Sequence, residues 1–337
     1  MSSPSNMTTA RVAGPDEAEQ LDQQLEREYG ALKSGAGFCH LDDRLIIRVS
    51  GDDRVSFLHG MCTADVKGLQ PGRVAPALFV TERAHVIAEF FLYALADAFL
   101  IESAKGAWLG VRSHLDKFLV ADDVEFEELP SLSVVDFEGP GAAVRLSEAG
   151  HAPPSEPWHL EPASMVAQMP RFGAAAFTRL VEAGELAAIL ADPARKYVGL
   201  GAALEVLRIE NGLARVGIDT NEKTLALEAR LDRAISLDKG CYIGQETLER
   251  ATARGGIKRK LLGLRVAGNR IPEAGASILA ADKPVGVLTS IARSPAFGVI
   301  GLSILHHSVW PEGTRVAIRN RDAVFEARTT ELPFGAP

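Results

Sequence analysis

A chain of 337 residues in which 47% are hydrophobic and 24% charged has globular composition, which excludes a mainly disordered protein. At ~150 residues per domain, the length accommodates two or three modules. Acids outnumber bases by 44 to 36, for a net charge of −8, so a basic field over the whole surface for duplex nucleic acid is excluded while a local basic patch is not.

The first 15 residues carry no apolar h-region of the kind a secretion signal needs. Residues 1–37 are polar and rich in small side chains, and their helix formers predict one helix over 16–29 in a loosely attached tail or arm. From Cys39 the texture changes. LIIRVSG predicts a strand running into a turn, and residues 52–60 predict a helix with an acidic first turn and a stop at Gly60. The longest apolar stretch, 86–101, is broken by Glu89 and Asp97 and is too short to span a bilayer. Its alternation predicts two strands turning at Ala96-Asp97. Residues 76–134 are strand-rich, with a helix near 108–120, and LSVVDFEG and AAVRLSE continue in the same manner. Four prolines in 151–163 mark a loop. Periodicity predicts helices over 177–190 and 201–211, the second stopped by Gly212. From Ile257, short β-rich runs separated by turn residues predict a compact all-β module, a small barrel.

Three cysteines, Cys39, Cys62 and Cys241, form no CxxC pair. That excludes a disulfide scaffold and argues against a sequence-local zinc or iron–sulfur site. A reducing compartment, the cytoplasm, and no membrane partner are expected. Gly199 and Gly201 give a G-x-G without a third glycine or a preceding apolar strand, so no dinucleotide site is predicted. His306 and His307 are adjacent near a strand end, where they should point to opposite faces, and are not read as a metal pair. The acidic run 122–128 reads as a solvated strand edge.

Two segments carry chemistry. In residues 231–246 (LDRAISLDKGCYIGQE), two glycines bracket Cys241, Tyr242 and Ile243, and a helical run follows at Gln245 and Glu246. Cys241 then precedes a helix N-terminus and has Lys239 two residues upstream. A positive dipole end and an ammonium both favour a thiolate, so Cys241 is either a reactive thiol or metal ligand, or an inert cysteine in a tight turn. In residues 207–212 (LRIENG), Glu210 sits in the last turn of its helix, where the dipole disfavours a carboxylate. It is either a solvated acid or one kept to accept hydrogen bonds from a ligand.

LRIENG followed by K-G-C-Y-I-G-Q-E resembles the YgfZ/GcvT family, whose bacterial signature is K-G-C-[FY]-x-G-Q-E. Residues 57–66 (FLHGMCTADV) resemble the family's F-L-x-G-x-x-T-x-D-V run, and residues 286–290 with Ser294-Pro295 resemble its C-terminal G-x-V-T-S…S-P pattern. The resemblance covers about 38–305. It implies an α+β fold with two interleaved α+β modules over 38–256 and a C-terminal β-barrel over 257–337, arranged around a tetrahydrofolate pocket. It also implies one of two branches: glycine-cleavage aminomethyltransferases, or YgfZ-type folate-binding proteins that support maturation or repair of iron–sulfur enzymes, including tRNA-modifying ones. The cysteine of K-G-C marks the second.

The chain departs from the transferase pattern. Where those enzymes carry G-G-hydrophobic-hydrophobic-D-D, this chain has Ala84-His85-Val86-Ile87-Ala88-Glu89, so Ala88 replaces the first aspartate. Glu89 should face opposite to Ala88 on an alternating strand and is not expected to substitute. Arg83-Ala84-His85 stands where YgfZ-type relatives often have K-G-[KR]. Arg44 and Leu204 stand where some relatives flank the pterin with aromatics; a guanidinium can also stack on a ring. The leading expectation is therefore a non-catalytic or weakly catalytic tetrahydrofolate binder of YgfZ type. Glu210 would accept the pterin N–H groups, with Arg208, on another helix face, in a lesser role. Lys239, Tyr242, Gln245 and Glu246 would complete the binding set, and Cys241 would be the redox- or cluster-linked group, acting toward iron–sulfur client enzymes. The alternatives are a folate-dependent aminomethyltransferase, and an interaction module docking RNA or protein through Arg250, Arg254, Lys258, Arg259 and Lys260.

Overall fold

The computed structural model describes residues 15–172, 176–191, 198–253, 256–321 and 323–335. In chain order the elements are α1 (Pro15–Ser34), β1 (Gly37–His40), β2 (Arg44–Ser50), α2 (Arg54–Met61), β3 (Val74–Val80), β4 (Val86–Ala94), β5 (Phe99–Ala104), α3 (Lys105–Leu115) and β6 (Glu125–Glu128). Then come β7 (Leu132–Glu138), α4 (Ala142–Glu148), β8 (Leu160–Glu161), β9 (Val166–Gln168), β10 (Ala176–Glu182), α5 (Ala183–Ala191), β11 (Val198–Gly199), α6 (Ala202–Glu210) and α7 (Gln245–Ala253). The C-terminal strands are β12 (Arg259–Val266), β13 (Ser277–Ala280), β14 (Lys283–Val287), β15 (Ser290–Ser294), β16 (Gly298–His306), β17 (Arg315–Asn320) and β18 (Ala323–Thr330).

Three sheets organise these elements, in the orders β11-β1-β7-β10-β9-β8, β3-β4-β5-β2-β6 and β14-β13-β17-β18-β12-β16-β15. Strand β1 belongs to the first sheet, β2–β6 to the second and β7–β11 to the first again, so two α+β modules interleave along the chain before the β-rich C-terminal module begins. That is the α+β architecture the resemblance implies. Ile46, Phe91 and Leu100 of the second sheet pack on Val134 and Leu180 of the first, which closes the two modules face to face. On its other face the second sheet buries Phe79, Phe90 and Leu92 beneath Phe57 and Leu58 of α2 and Trp108 and Val111 of α3. Among the described residues, no helix is long and apolar enough to cross a membrane.

Several local expectations need correction. The segment read as a helix over 177–190 is the strand β10 followed by α5. Residues Ala176–Val181 are buried throughout because Leu180 packs against the second sheet while Phe177 and Val181 pack with Leu146 of α4 and Leu186 of α5, and a strand covered on both faces loses its alternation. AAVRLSE is helix α4, with Ala142 and Leu146 buried at i,i+4 spacing. Helix α2 runs through Gly60 to Met61. The acidic run does end in an edge strand, β6.

The helix expected as a loosely attached arm is docked on α6. Glu28 accepts from the backbone N–H groups of Gly201 (2.8 Å) and Ala203 (3.3 Å) at the α6 N-terminus, where a carboxylate is favoured. Tyr29 and Leu32 pack on Ala203, Val206 and Leu207. The G-x-G at Gly199 and Gly201 thus meets an anion supplied by the chain itself.

Candidate functional site

Strand alternation opens a cavity of about 320 Å³ between the first two sheets and α6. On β4, Ala88, Phe90 and Leu92 pack toward α2 and α3, whereas Phe91 turns toward the first sheet. Glu89, one residue on from Ala88, shares the Phe91 face, and both border the cavity. Glu89 and Ala88 thus do face opposite ways, yet both border the cavity, and the glutamate brings a carboxylate to it. Its partner is Arg233, 3.3 Å away.

The wall is rich in guanidinium. Arg44, Arg171, Arg208, Arg215 and Arg233 all border the cavity. Arg208 is fixed by Asp219 (2.7 Å), Glu205 (2.6 Å) and Ser290 (2.6 Å), and Arg215 by Asp43 (2.7 Å). Fully buried Glu102 holds two of the five. Its Oε1 accepts from Arg44 Nε (2.8 Å), and its Oε2 accepts from Arg171 Nη2 and the Tyr93 hydroxyl (both 2.7 Å). Burial alone would raise the Glu102 pKa, but Arg171 and Arg44 outweigh it and hold the carboxyl at about 2. The Arg171 guanidinium stacks 4.3 Å from the centroid of the Phe91 ring.

Behind Arg171 lie two more buried acids. Asp136 and Glu138 stand two apart on β7, so both point to the face that looks at the second sheet. Asp136 Oδ1 accepts from Thr178 (2.5 Å), its neighbour across β10. Its Oδ2 lies 3.1 Å from Arg171 Nε, yet these two atoms are not aligned to hydrogen-bond, and neither has another side-chain or backbone partner. Glu138 Oε1 is likewise buried without a partner. Burial raises Asp136 against the pull of Arg171 to about 6, and burial with the neighbouring Asp136 charge raises Glu138 to about 9. The sequence did carry a signal for these groups, because acids at 102, 136 and 138 interrupt otherwise apolar strand runs.

The residues singled out from sequence are dispersed. Arg208 borders the cavity; Glu210, two residues on and about 200° round the helix, does not. The Glu210 carboxylate accepts from Tyr29 (2.9 Å), Ser294 (2.5 Å) and Lys33 (3.4 Å), so the chain itself supplies the donors expected from a pterin. Arg44 and Leu204 both border the cavity.

Lys239, Cys241, Tyr242, Gln245 and Glu246 lie outside the cavity wall. Lys239 is buried, and its ammonium donates to the carbonyls of His59 (2.5 Å), Cys62 (2.7 Å) and Ala64 (2.7 Å) at the C-terminal end of α2. That charge caps a helix end and is not aimed at the thiol. Tyr242 is buried in the core beneath α7. Gln245 and Glu246 bond along α7 to Glu249 and Arg250. Between the two buried anchors, Lys239 and Tyr242, Cys241 is exposed. The turn uses Gly240 at φ 90° and Gly244 at φ 85°. A Cβ on Gly244 would meet Thr81 O at 2.6 Å, so only glycine fits there.

The basic cluster is largely neutralised. Arg250 pairs with Glu246, Arg259 with Glu228 and Lys260 with Glu331. Arg254 lies outside the described residues. The reading of this face as an RNA dock loses its main support. His306 and His307 also differ from expectation: β16 ends at His306, and the two rings lie 4.1 Å apart instead of on opposite faces.

Comparison with known proteins follows from this architecture. The model of the GCVT N-terminal domain matches residues 4–154, and that of the glycine cleavage T-protein C-terminal barrel domain matches residues 259–335. An aminomethyltransferase of Nostoc sp. is 29% identical over 92% of this chain and 87% of its own length. A putative chloroplastic transferase of Arabidopsis thaliana is 31% identical over 85% of this chain and 68% of its own length. The crystal structure of the glycine cleavage system aminomethyltransferase T from Bartonella henselae superposes with a TM-score of 0.83 over 92% of this chain and 89% of that one, at 24% identity.

Proposed function

Because the chain belongs to the glycine cleavage T-protein family, we propose that it is a tetrahydrofolate-binding protein of the YgfZ branch, which supports maturation or repair of iron–sulfur enzymes instead of transferring an aminomethyl group. The cavity fits such a ligand. Its volume falls within the range of small-molecule sites. Phe91 and Leu204 offer apolar surface, and the guanidiniums of Arg215 and Arg233 suit a glutamate tail. When bound, tetrahydrofolate supplies ring and bridge nitrogens able to carry a one-carbon unit.

The observation that carries the branch assignment is the position of Cys241. Its thiol projects to the surface from a turn pinned by Lys239 and Tyr242, and it is absent from the cavity wall. A thiol so placed meets another protein more readily than a ligand in the cavity. Two experiments test this reading. Titration of purified protein with tetrahydrofolate and with folinic acid should show saturable binding. Cys241→Ser should leave that binding intact but fail to restore iron–sulfur enzyme activity in cells lacking the protein. Full restoration by the serine variant would overturn the thiol's role.

One observation favours a second reading, folate-dependent aminomethyl transfer: Glu89 brings a carboxylate to the cavity although Ala88 does not. There it would orient an amine, its side chain positioned by Arg233. An assay with glycine-cleavage partner proteins discriminates. Release of ammonia and methylenetetrahydrofolate that is lost in Glu89→Gln would establish transfer, and background turnover would leave the first reading standing.

A further inference from the structure

We propose that Asp219 is a positioning residue through which the C-terminal module sets the wall of the cavity. The ligand in that cavity rests on the folate reading above; the linkage itself rests on geometry. Asp219 lies in the loop after α6, and its carboxylate is fully buried. It is absent from the cavity wall, as are Thr289 and Ser290, where β15 begins.

Each oxygen of Asp219 serves a different module. Its Oδ1 accepts from the hydroxyls of Thr289 (2.5 Å) and Ser290 (2.7 Å) in the C-terminal module. Its Oδ2 accepts from Arg208 Nη1 (2.7 Å) and from the backbone N–H of Arg215 (2.9 Å). Two bonds to each oxygen fill the capacity of a carboxylate. Both donors to Oδ2 belong to the wall, since Arg208 and residues 213–216 border the cavity.

Arg208 itself is saturated. Besides Asp219, its Nη1 donates to Leu213 O (2.6 Å), its Nε to Glu205 Oε2 (2.9 Å), and its Nη2 to Glu205 Oε1 and Ser290 Oγ (both 2.6 Å). All five N–H groups of the guanidinium are thereby spent. Arg208 borders the cavity with no donor left for a ligand. Its part there is to present Glu205, whose side chain is 40% exposed and also borders the cavity. The bonds therefore run from Thr289 and Ser290 through Asp219 to Arg208, Glu205 and residues 213–216. The two oxygens of a carboxylate share one rigid plane. An Asp219 that loses a hydroxyl at Oδ1 turns toward other donors, and Oδ2 turns with it, carrying its hold on the wall.

Calorimetric titration of the full chain with folinic acid, beside urea unfolding and amide exchange, tests the linkage. Thr289→Val removes a hydroxyl that lies off the cavity wall. It should weaken folinic acid binding roughly 5- to 20-fold and speed exchange at 205–216. Thr289→Ser keeps the hydroxyl and should restore both. If Thr289→Val fails to fold, Ser290→Ala, which removes the other hydroxyl on Oδ1, takes its place. Ser303→Ala is the control, because Ser303 is buried in the same module but donates to Val287 O and not to Asp219. It should lower stability while affinity and exchange at 205–216 keep their wild-type values. Wild-type affinity or wild-type exchange in Thr289→Val would overturn the positioning role, as would an equal affinity loss in Ser303→Ala. Absence of folinic acid binding by the wild type would overturn the folate reading alone. Exchange at 205–216 would then decide the linkage by itself, faster exchange in Thr289→Val supporting it and unchanged exchange overturning it.

Discussion

The hydroxyl of Tyr29 donates to the carboxylate of Glu210 at 2.9 Å, across 181 residues of sequence. With Ser294 on the same carboxylate, the contact ties α1, α6 and β15 together. Tyr29→Phe removes one donor from a buried acid, which should lower unfolding free energy by about 1–3 kcal/mol. Because Glu210 lies off the cavity wall, folinic acid affinity should change less than twofold in Tyr29→Phe and in Glu210→Gln. Urea unfolding and calorimetry check both halves. A large affinity loss in Glu210→Gln at unchanged stability would return Glu210 to the ligand.

The buried acids set a pH dependence of stability. Glu138 and Asp136 titrate in the folded chain at about 9 and about 6, above the ~4 of a free carboxyl. Between ~4 and about 9 the folded state therefore holds more protons than the unfolded chain, and stability falls as pH rises through that window. Glu102 acts in the opposite sense. Its carboxyl is held at about 2, so its contribution is present above the unfolded value and is lost as pH falls toward about 2. Glu138→Gln keeps the neutral shape without the titration. Its stability should decline less than that of the wild type as pH rises from ~6 to ~9. Urea unfolding across this range is the measurement, and parallel curves would mean that Glu138 is not the group responsible.

The turn at Ala84 offers a stabilising change. Ala84 is buried with φ 59°, a conformation that glycine adopts without cost. Ala84→Gly should raise the melting temperature, since relief of ~1–2 kcal/mol of left-handed strain exceeds the loss of one partly compensated methyl contact. Gly244→Ala, which drives a methyl onto Thr81 O, should lower it markedly. Thermal unfolding of the two variants should therefore move in opposite directions, and a fall in both would show that the Ala84 methyl packs better than its backbone suggests.

Much of the fold was legible where one physical signal dominated. The strand pair around Ala96-Asp97, the barrel strands from Arg259 onward and the Gly212 stop of α6 all follow from alternation or from a residue with φ > 0. Strand β10 was misread because burial on both faces erases alternation. The docking of α1 was missed because its anchors, Glu28 and Tyr29, meet partners more than 170 residues away. The cavity was legible only in part. Arg208, Arg44 and Leu204 could be picked out, whereas Glu102, Asp136 and Arg171 converge from three separate segments, and nothing in local spacing announces that meeting. The side of α6 that Glu210 would occupy depended on α1 and β15, which the helix's own periodicity does not report.

Cys241 is the most consequential residue to test chemically. Among the three cysteines it alone is exposed; Cys62 is fully buried, and burial pushes the Cys39 thiol up to about 12. Only a reachable thiolate reacts with an alkylating reagent, so iodoacetamide at neutral pH should label Cys241 first, Cys39 slowly and Cys62 only after unfolding. Mass mapping of the native protein over time measures the order. Lys239 enters indirectly. Its ammonium is committed to three carbonyls of the α2 end, so Lys239→Met should destabilise the turn, because those carbonyls lose their donor inside the protein. If Lys239 instead acted as a charge on the thiol, Lys239→Met would slow alkylation without loosening the turn. Amide exchange at 239–244, followed beside the alkylation rate, separates the two cases: faster exchange with undiminished labelling is the outcome expected from this geometry.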